Sequence, residues 1–184
     1  MTGGKRTELR IAGTGGQGLI LGATMLAKAL LAGGRHVAQS QTYEPTSRGG
    51  YCNADLIVAD GEVDYPLATA LDALVLLDQL AVAPSWPLLE PGALVLADTR
   101  LVRELPAGDC QVHRLPMTRT AIDLGSERVA NVVALGALAA LTGLCSRATL
   151  EATVRAETPK AYVDLNLDAV AAGFRMAEEV AARV

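Results

Sequence analysis

A chain of 184 residues has room for one full domain with a sizeable core, and not for two. Its 16 basic and 20 acidic side chains leave a formal net charge of −4 with no basic tail or stripe, and aromatics make up only 3%; nucleic acid is excluded as the main partner, since neither phosphate neutralisation nor base stacking is provided for. Cys52, Cys110 and Cys145 lie far apart without a Cys-x-x-Cys, and the histidines are His36 and His113, which excludes an iron–sulfur cluster or zinc site built by this chain and leaves little scope for a nucleophile–histidine pair.

Residues 1–7 are expected to be disordered, and the amino end is too polar for a secretory signal. Together with the odd, scattered cysteines, this points to a reducing, cytoplasmic setting. Residues 9–13 read as a short buried strand that runs into a glycine loop. A helix is expected from Gly18 to about Ala32, stopped by Gly33 and Gly34, and a second strand at 36–41. Strand, glycine loop, helix and strand make a βαβ unit. Residues 42–50 are a loop, and 51–59 with 63–65 flank Asp60-Gly61-Glu62 as an expected β-hairpin. Two continuous apolar runs, 73–78 and 93–98, have the character of central parallel strands. Pro84 and Pro87 allow only a broken helix around Trp86, and 110–115 is a last, weakly alternating strand.

From Met117 onward the pattern is helical, with helices at 127–143, 147–155 and 167–183. Residues 129–146 carry no charge, but the run is rich in Ala and Gly and contains Asn131 and Thr142, so a buried or interface helix is expected rather than a membrane span. Mean hydropathy is +0.29, which suggests that some apolar surface, this helix included, is covered by another chain. No repeat or linker interrupts the sequence. Residues 1–184 read as one α/β domain.

The loop at 11–20, IAGTGGQGLI, spells Gly-x-Gly-x-x-Gly. Gly13 permits a tight turn after the strand, Gly15 or Gly16 lets backbone N–H groups approach an anion, and Gly18 lets the helix pack close to the sheet. The helix amino end adds partial positive charge. A dinucleotide site also needs an acid about 20 residues further on, where this chain offers Gln39, Ser40 and Gln41. Three readings stay open: a dinucleotide-dependent oxidoreductase, a site for another phosphate-bearing ligand or a partner chain, and glycines that serve packing alone.

The second loop, TYEPTSRGG at 42–50, places Arg48 before Gly49 and Gly50, where its guanidinium suits a carboxylate or phosphate. In a doubly wound sheet it lies at the carboxyl edge beside the glycine loop. Otherwise Arg48 ties the loop to a local acid such as Glu44, with Tyr43 and Pro45 stiffening the turn. Asp78 and Asp98 end strands at that edge and are read as helix caps rather than catalytic acids. Asn131 must find a hydrogen-bond partner inside its apolar helix. Cys52 is a packed side chain, and neither histidine receives a catalytic role.

Together, RIAGTGGQGLILGATMLAKAL, SQTYEPTSRGGYCNADLIVADGEVDYP and ERVANVVALGALAALTG resemble the gamma subunit, or fused gamma domain, of 2-oxoacid:ferredoxin oxidoreductases, in particular the 2-oxoglutarate, pyruvate and ketoisovalerate types. The resemblance runs from about Glu8 to the final helix, and its most specific element is the ordered pair of loops. The family usually has Gly where Glu44 stands. The resemblance implies a Rossmann-like three-layer domain with a mainly parallel sheet, one β-hairpin insertion and a helical carboxyl-terminal part. It implies a subunit with no catalytic residue of its own, in a complex that converts a 2-oxoacid, coenzyme A and oxidised ferredoxin to acyl-CoA, carbon dioxide and reduced ferredoxin. Thiamine diphosphate, magnesium and iron–sulfur clusters then belong to alpha, beta and delta partners. Gly13, Gly15, Gly16, Gln17, Gly18, Tyr43, Arg48, Gly49 and Gly50 become the residues that touch coenzyme A or brace a partner; a purely structural scaffold is the remaining alternative.

Overall fold

The computed structural model describes residues 6–44, 49–63, 65 and 67–182. Its strands are β1 (Thr7–Thr14), β2 (His36–Tyr43), β3 (Tyr51–Ala59), β4 (Leu71–Leu76), β5 (Leu89–Asp98) and β6 (Cys110–Leu115). Its helices are α1 (Leu19–Ala32), α2 (Val82–Ser85), α3 (Met117–Asp123), α4 (Ala130–Thr142), α5 (Arg147–Glu157) and α6 (Val163–Ala181). The sheet has the order β2-β3-β1-β4-β5-β6. β1, β4, β5 and β6 pair in parallel, while β3 runs antiparallel to both β1 and β2.

Two expectations change here. The βαβ unit is split, because β3 inserts between the two strands that α1 connects. The hairpin is β2–β3, not 51–59 with 63–65, since Val63 and Tyr65 belong to no strand and β3 already has a neighbour on each side. A continuous run such as Cys52–Val58 is buried in either arrangement, so local pattern cannot choose its neighbour.

Alternation sorts each strand between two faces. Leu9 and Ile11 of β1 join Cys52, Ala54, Leu56 and Val58 of β3 in a core covered by α1 and α3 to α6. Ala12 joins Leu74, Leu76, Val95 and Ala97 in a smaller core on the opposite face, capped by Ala81, Val82 and Val102. On that second face Arg10 and Asp55 are cross-strand partners and form a bidentate ion pair, Nε to Oδ1 at 2.7 Å and Nη2 to Oδ2 at 2.8 Å. Asn53 Nδ2 also donates to Asp55 Oδ1, at 2.8 Å. Burial alone would lower the Arg10 pKa, but its hydrogen bond to Asp55 and the carboxylate charge outweigh that and raise it.

α4 is buried by its own chain. All ten residues from Ala130 to Ala139 are buried, with α6 as the main helical neighbour. The expectation that another chain covers this helix is therefore corrected. Close approach depends on Gly136 and Gly173: a Cβ on Gly136 would strike the Val170 carbonyl, and one on Gly173 would stand 2.8 Å from Gly136 Cα. Among the described residues no helix is long and apolar enough to cross a membrane.

Gly173→Ala tests the crossing. Alanine favours a helix by about 1 kcal/mol, yet the added methyl meets backbone, which cannot swing away, and overpacking costs about 1–3 kcal/mol. The expected result is a net loss of up to about 2 kcal/mol, read as a lower urea midpoint with unchanged slope.

Candidate functional site

At the carboxyl end of β1 the chain turns through Thr14–Gly18 into α1. Gly16 and Gly18 lie at φ 102° and 71°, the left-handed region open to glycine. Gly18 precedes a helix that has no side-chain cap and no acid in its first turn. The loop's own donors are largely spent. Thr14 N–H donates to Gln17 Oε1 at 2.8 Å, while Gln17 Nε2 donates to the Leu77 carbonyl at 2.8 Å. Gln17 N–H returns to the Thr14 carbonyl at 3.3 Å. A neutral side-chain carbonyl thus sits where a phosphate cradle would place an anion. Any Cβ on Gly13 would strike that same oxygen.

The two loops meet. Gly15 N–H donates to the Gly50 carbonyl at 2.9 Å, and Gly49 N–H donates to the Gly15 carbonyl at 3.3 Å. Glu44 N–H closes the base of the second loop onto the Tyr51 carbonyl at 3.1 Å. The carboxyl edge of β1 and β2 therefore carries both motifs side by side. Residues 45–48, with Arg48, lie outside the described residues, as does the Tyr43 side chain. Asn131 reaches the loop from α4: its Nδ2 donates to the Gly18 carbonyl at 2.8 Å, so the polar residue of the apolar helix finds its partner at the start of α1.

Two clefts open from Gly16. The larger, about 600 Å³, has Leu21, Met25, Val132 and Leu165 along its apolar part and Arg128, Asn131 and Glu157 among its polar groups. The smaller, about 230 Å³, lies between Gln17, Leu77, Thr118, Glu127 and Arg128. Arg128 lines both. Residues 127–129, expected as the first turn of a long helix, instead form a separate 3-10 turn, capped by Ser126 Oγ accepting from Arg128 N–H at 3.4 Å. Gly125 just before it, at φ 109°, is the signal in the sequence that marks this break.

The other polar candidates are structural. Asp78 Oδ1 accepts from Leu80 N–H at 2.9 Å and caps the following turn. Asp98, fully buried, accepts from Arg100 and Leu101 N–H through Oδ1 and from Thr118 N–H through Oδ2, tying β5 to the start of α3. Burial pushes all three thiols up, Cys145 to about 11, and at Cys110 the charge of Asp109 adds to the effect. Among the described residues no group of three His, Cys, Asp or Glu could hold a metal ion.

A family model described as pyruvate ferredoxin/flavodoxin oxidoreductase matches residues 8–176, the span that carries both loops and α4. The chain belongs to this family. The 2-oxoglutarate synthase subunit KorC of Methanocaldococcus jannaschii is 34% identical over 95% of this chain and 96% of its own length. The KorC subunit of Archaeoglobus fulgidus is 35% identical over 96% and 90%. The fold matches a keto/oxoacid ferredoxin oxidoreductase gamma subunit from Geobacter sulfurreducens with a TM-score of 0.87 and 41% identity, covering 95% of this chain and 98% of that one. It also matches 2-oxoglutarate:ferredoxin oxidoreductase from Magnetococcus marinus, in a structure with 2-oxoglutarate, coenzyme A and succinyl-CoA bound, at TM-score 0.85 and 24% identity over 31% of that chain. That last likeness concerns the fold alone. The resemblance read from the two loops is thereby established at the level of the oxidoreductase family.

Two measurements check the site's construction in this family member. Gly18→Ala forces a left-handed alanine and pushes its Cβ to 2.7 Å from Asn131 Nδ2, so a loss of about 2–3 kcal/mol is expected in chemical denaturation. Cys145, with its thiol near 11, should be about a thousandth ionised at pH 8 and alkylate slowly with iodoacetamide until the protein is unfolded.

Proposed function

We propose that this chain is the gamma subunit of a heteromeric 2-oxoacid:ferredoxin oxidoreductase of the 2-oxoglutarate class. Its two paired loops would stand where coenzyme A meets the catalytic subunits. The class reading rests on the KorC subunits, which match this chain nearly end to end. The observation that carries the site reading is the backbone pairing of Gly15 with Gly49 and Gly50, which joins both family motifs into one surface beside the clefts at Gly16.

On this reading the division of labour follows from chemistry. Thiamine diphosphate supplies the carbanion chemistry and iron–sulfur clusters the electron path, and alpha, beta and delta partners hold them with magnesium. The residues of this chain do not fit these groups: Cys52, Cys110 and Cys145 stand apart on β3, on β6 and after α4, and Asp78 and Asp98 at the sheet edge are consumed as caps. What the chain offers instead is a shaped polar edge. Gly13, Gly15, Gly16, Gln17, Gly18, Tyr43, Arg48, Gly49 and Gly50 make up the proposed contact surface, with Gln17 acting as its internal brace. A dinucleotide site is disfavoured by the same geometry, since Thr14 and Gly15 N–H are already engaged and Gln39 interacts with Thr24 of α1.

Reconstitution tests the proposal. The chain purified alone should show no turnover. Co-expressed with its alpha and beta partners, it should be required for ferredoxin reduction that depends on both coenzyme A and 2-oxoglutarate. Full activity without this chain, or faster turnover of pyruvate than of 2-oxoglutarate, would overturn the subunit or the class assignment respectively.

A further inference from the structure

β2 is an edge strand: among the described residues it pairs with β3 on one side and with no strand on the other. Exposed edges are ordinarily blunted by charge, proline, a bulge or short length, because their free N–H and C=O groups invite another strand. β2 has none of these devices. It is eight residues long, and HVAQSQTY contains no Lys, Arg, Asp, Glu, Pro or Gly. It registers residue for residue against β3, from His36 opposite Ala59 to Tyr43 opposite Cys52. The opposite edge, β6, has six residues and carries Arg114. The direction of the free groups on β2 follows from its hairpin. Glu44 N–H donates to the Tyr51 carbonyl. Alternation then turns the backbone groups of His36, Ala38, Ser40 and Thr42 toward β3 and those of Val37, Gln39, Gln41 and Tyr43 outward.

We propose that β2 pairs antiparallel with β2 of a second copy of this chain, about a two-fold axis at Ser40. Among symmetric registers this one alone engages every outward residue, matching Val37 with Tyr43 and Gln39 with Gln41 in both directions. The same register sets His36 opposite Glu44 of the second copy at each end, an imidazole donor facing a carboxylate acceptor. Between those ends no charge meets its like. Ser40 lies opposite Asp55, so His36, Ser40 and Glu44 share the second face of the sheet, where β2 otherwise carries only the small Ala38 and Thr42. On the helical face, Thr24 of α1 hydrogen-bonds Gln39 of β2, and Leu31 lies on that same side of α1 with 53% of its surface exposed. The second copy would cover this leucine while the two six-stranded sheets join edge to edge. The joint runs along the side of the sheet, and it stands whether or not the coenzyme A reading does.

Sedimentation of the purified full chain at about 50 μM should show a dimer. Ser40→Cys reads the register: residues facing at the axis form a non-hydrogen-bonded pair with Cα atoms about 4.5 Å apart, within disulfide reach, so oxidation should cross-link the dimer above the wild-type background. Ala38→Cys faces Thr42 of the second copy instead and should not cross-link. Gln41→Pro removes an N–H that points outward, a change an edge strand tolerates, and should weaken dimerisation about ten-fold or more with circular dichroism unchanged. Should that variant fail to fold, Glu44→Lys takes its place: it should weaken the dimer, and adding His36→Glu to the same chain should restore it. A monomeric wild type overturns the proposal. So does a dimer that Ser40→Cys cannot cross-link, or one indifferent to Gln41→Pro and Glu44→Lys. Protection of the Gln39 and Gln41 amides from hydrogen exchange only in the assembled oxidoreductase would also overturn it, giving the edge to another subunit.

Discussion

The crossing of α4 over α6 decides where everything at the sheet edge stands. Gly136 and Gly173 let two backbones approach so closely that neither can carry a methyl group at the contact. α4 is thereby enclosed on every side, consistent with its apolar character all round. Enclosure fixes Asn131 in depth and rotation. An amide in such a place must be satisfied, and its partner is the Gly18 carbonyl at the mouth of α1. The position of the glycine loop is thus inherited from a helix–helix contact more than 100 residues further along the chain.

The same loop shows how a phosphate-binding pattern is turned to another use. Gly-x-Gly-x-x-Gly permits the turn and the close packing, but Gln17 answers the loop's inner donor with an oxygen of its own and spends its amide on the end of β4. What results is a rigid corner rather than an empty cradle. The pairing of Gly15 with Gly49 and Gly50 then sets the second loop against that corner. Rigidity of this kind fits the contact surface proposed above, since little conformational freedom is left to lose on contact.

The two faces of the sheet divide the work of stability. One carries the large core beneath five helices. The other is covered only by short helical turns and holds a polar cluster in which Arg10, Asp55 and Asn53 satisfy one another across β1 and β3. A buried pair of this kind adds modestly to stability at best, but it penalises a one-residue slip of β3, which would turn Asp55 to the helical face and leave Arg10 buried without its partner. We read it as the register pin for β3, the strand whose insertion departs from the parallel pattern.

Much of this was legible in residue order. Glycine spacing located the loop, apolar runs located β4 and β5, and the absence of charge around Asn131 marked α4 as buried; each is a local property, written within a few residues. The partner of a strand is not local. Whether β3 lies against β1, β2 or residues 63–65 depends on which pairing lets Arg10 meet Asp55 and lets α1 span two strands, so only the folded chain could place it. Arg128 was hidden for the same reason, because its place at both clefts comes from the fold rather than from any motif around it. Composition and spacing determined which pieces exist. Tertiary packing decided which pieces touch, because backbone donors and helix faces are satisfied by neighbours that sequence distance does not reveal.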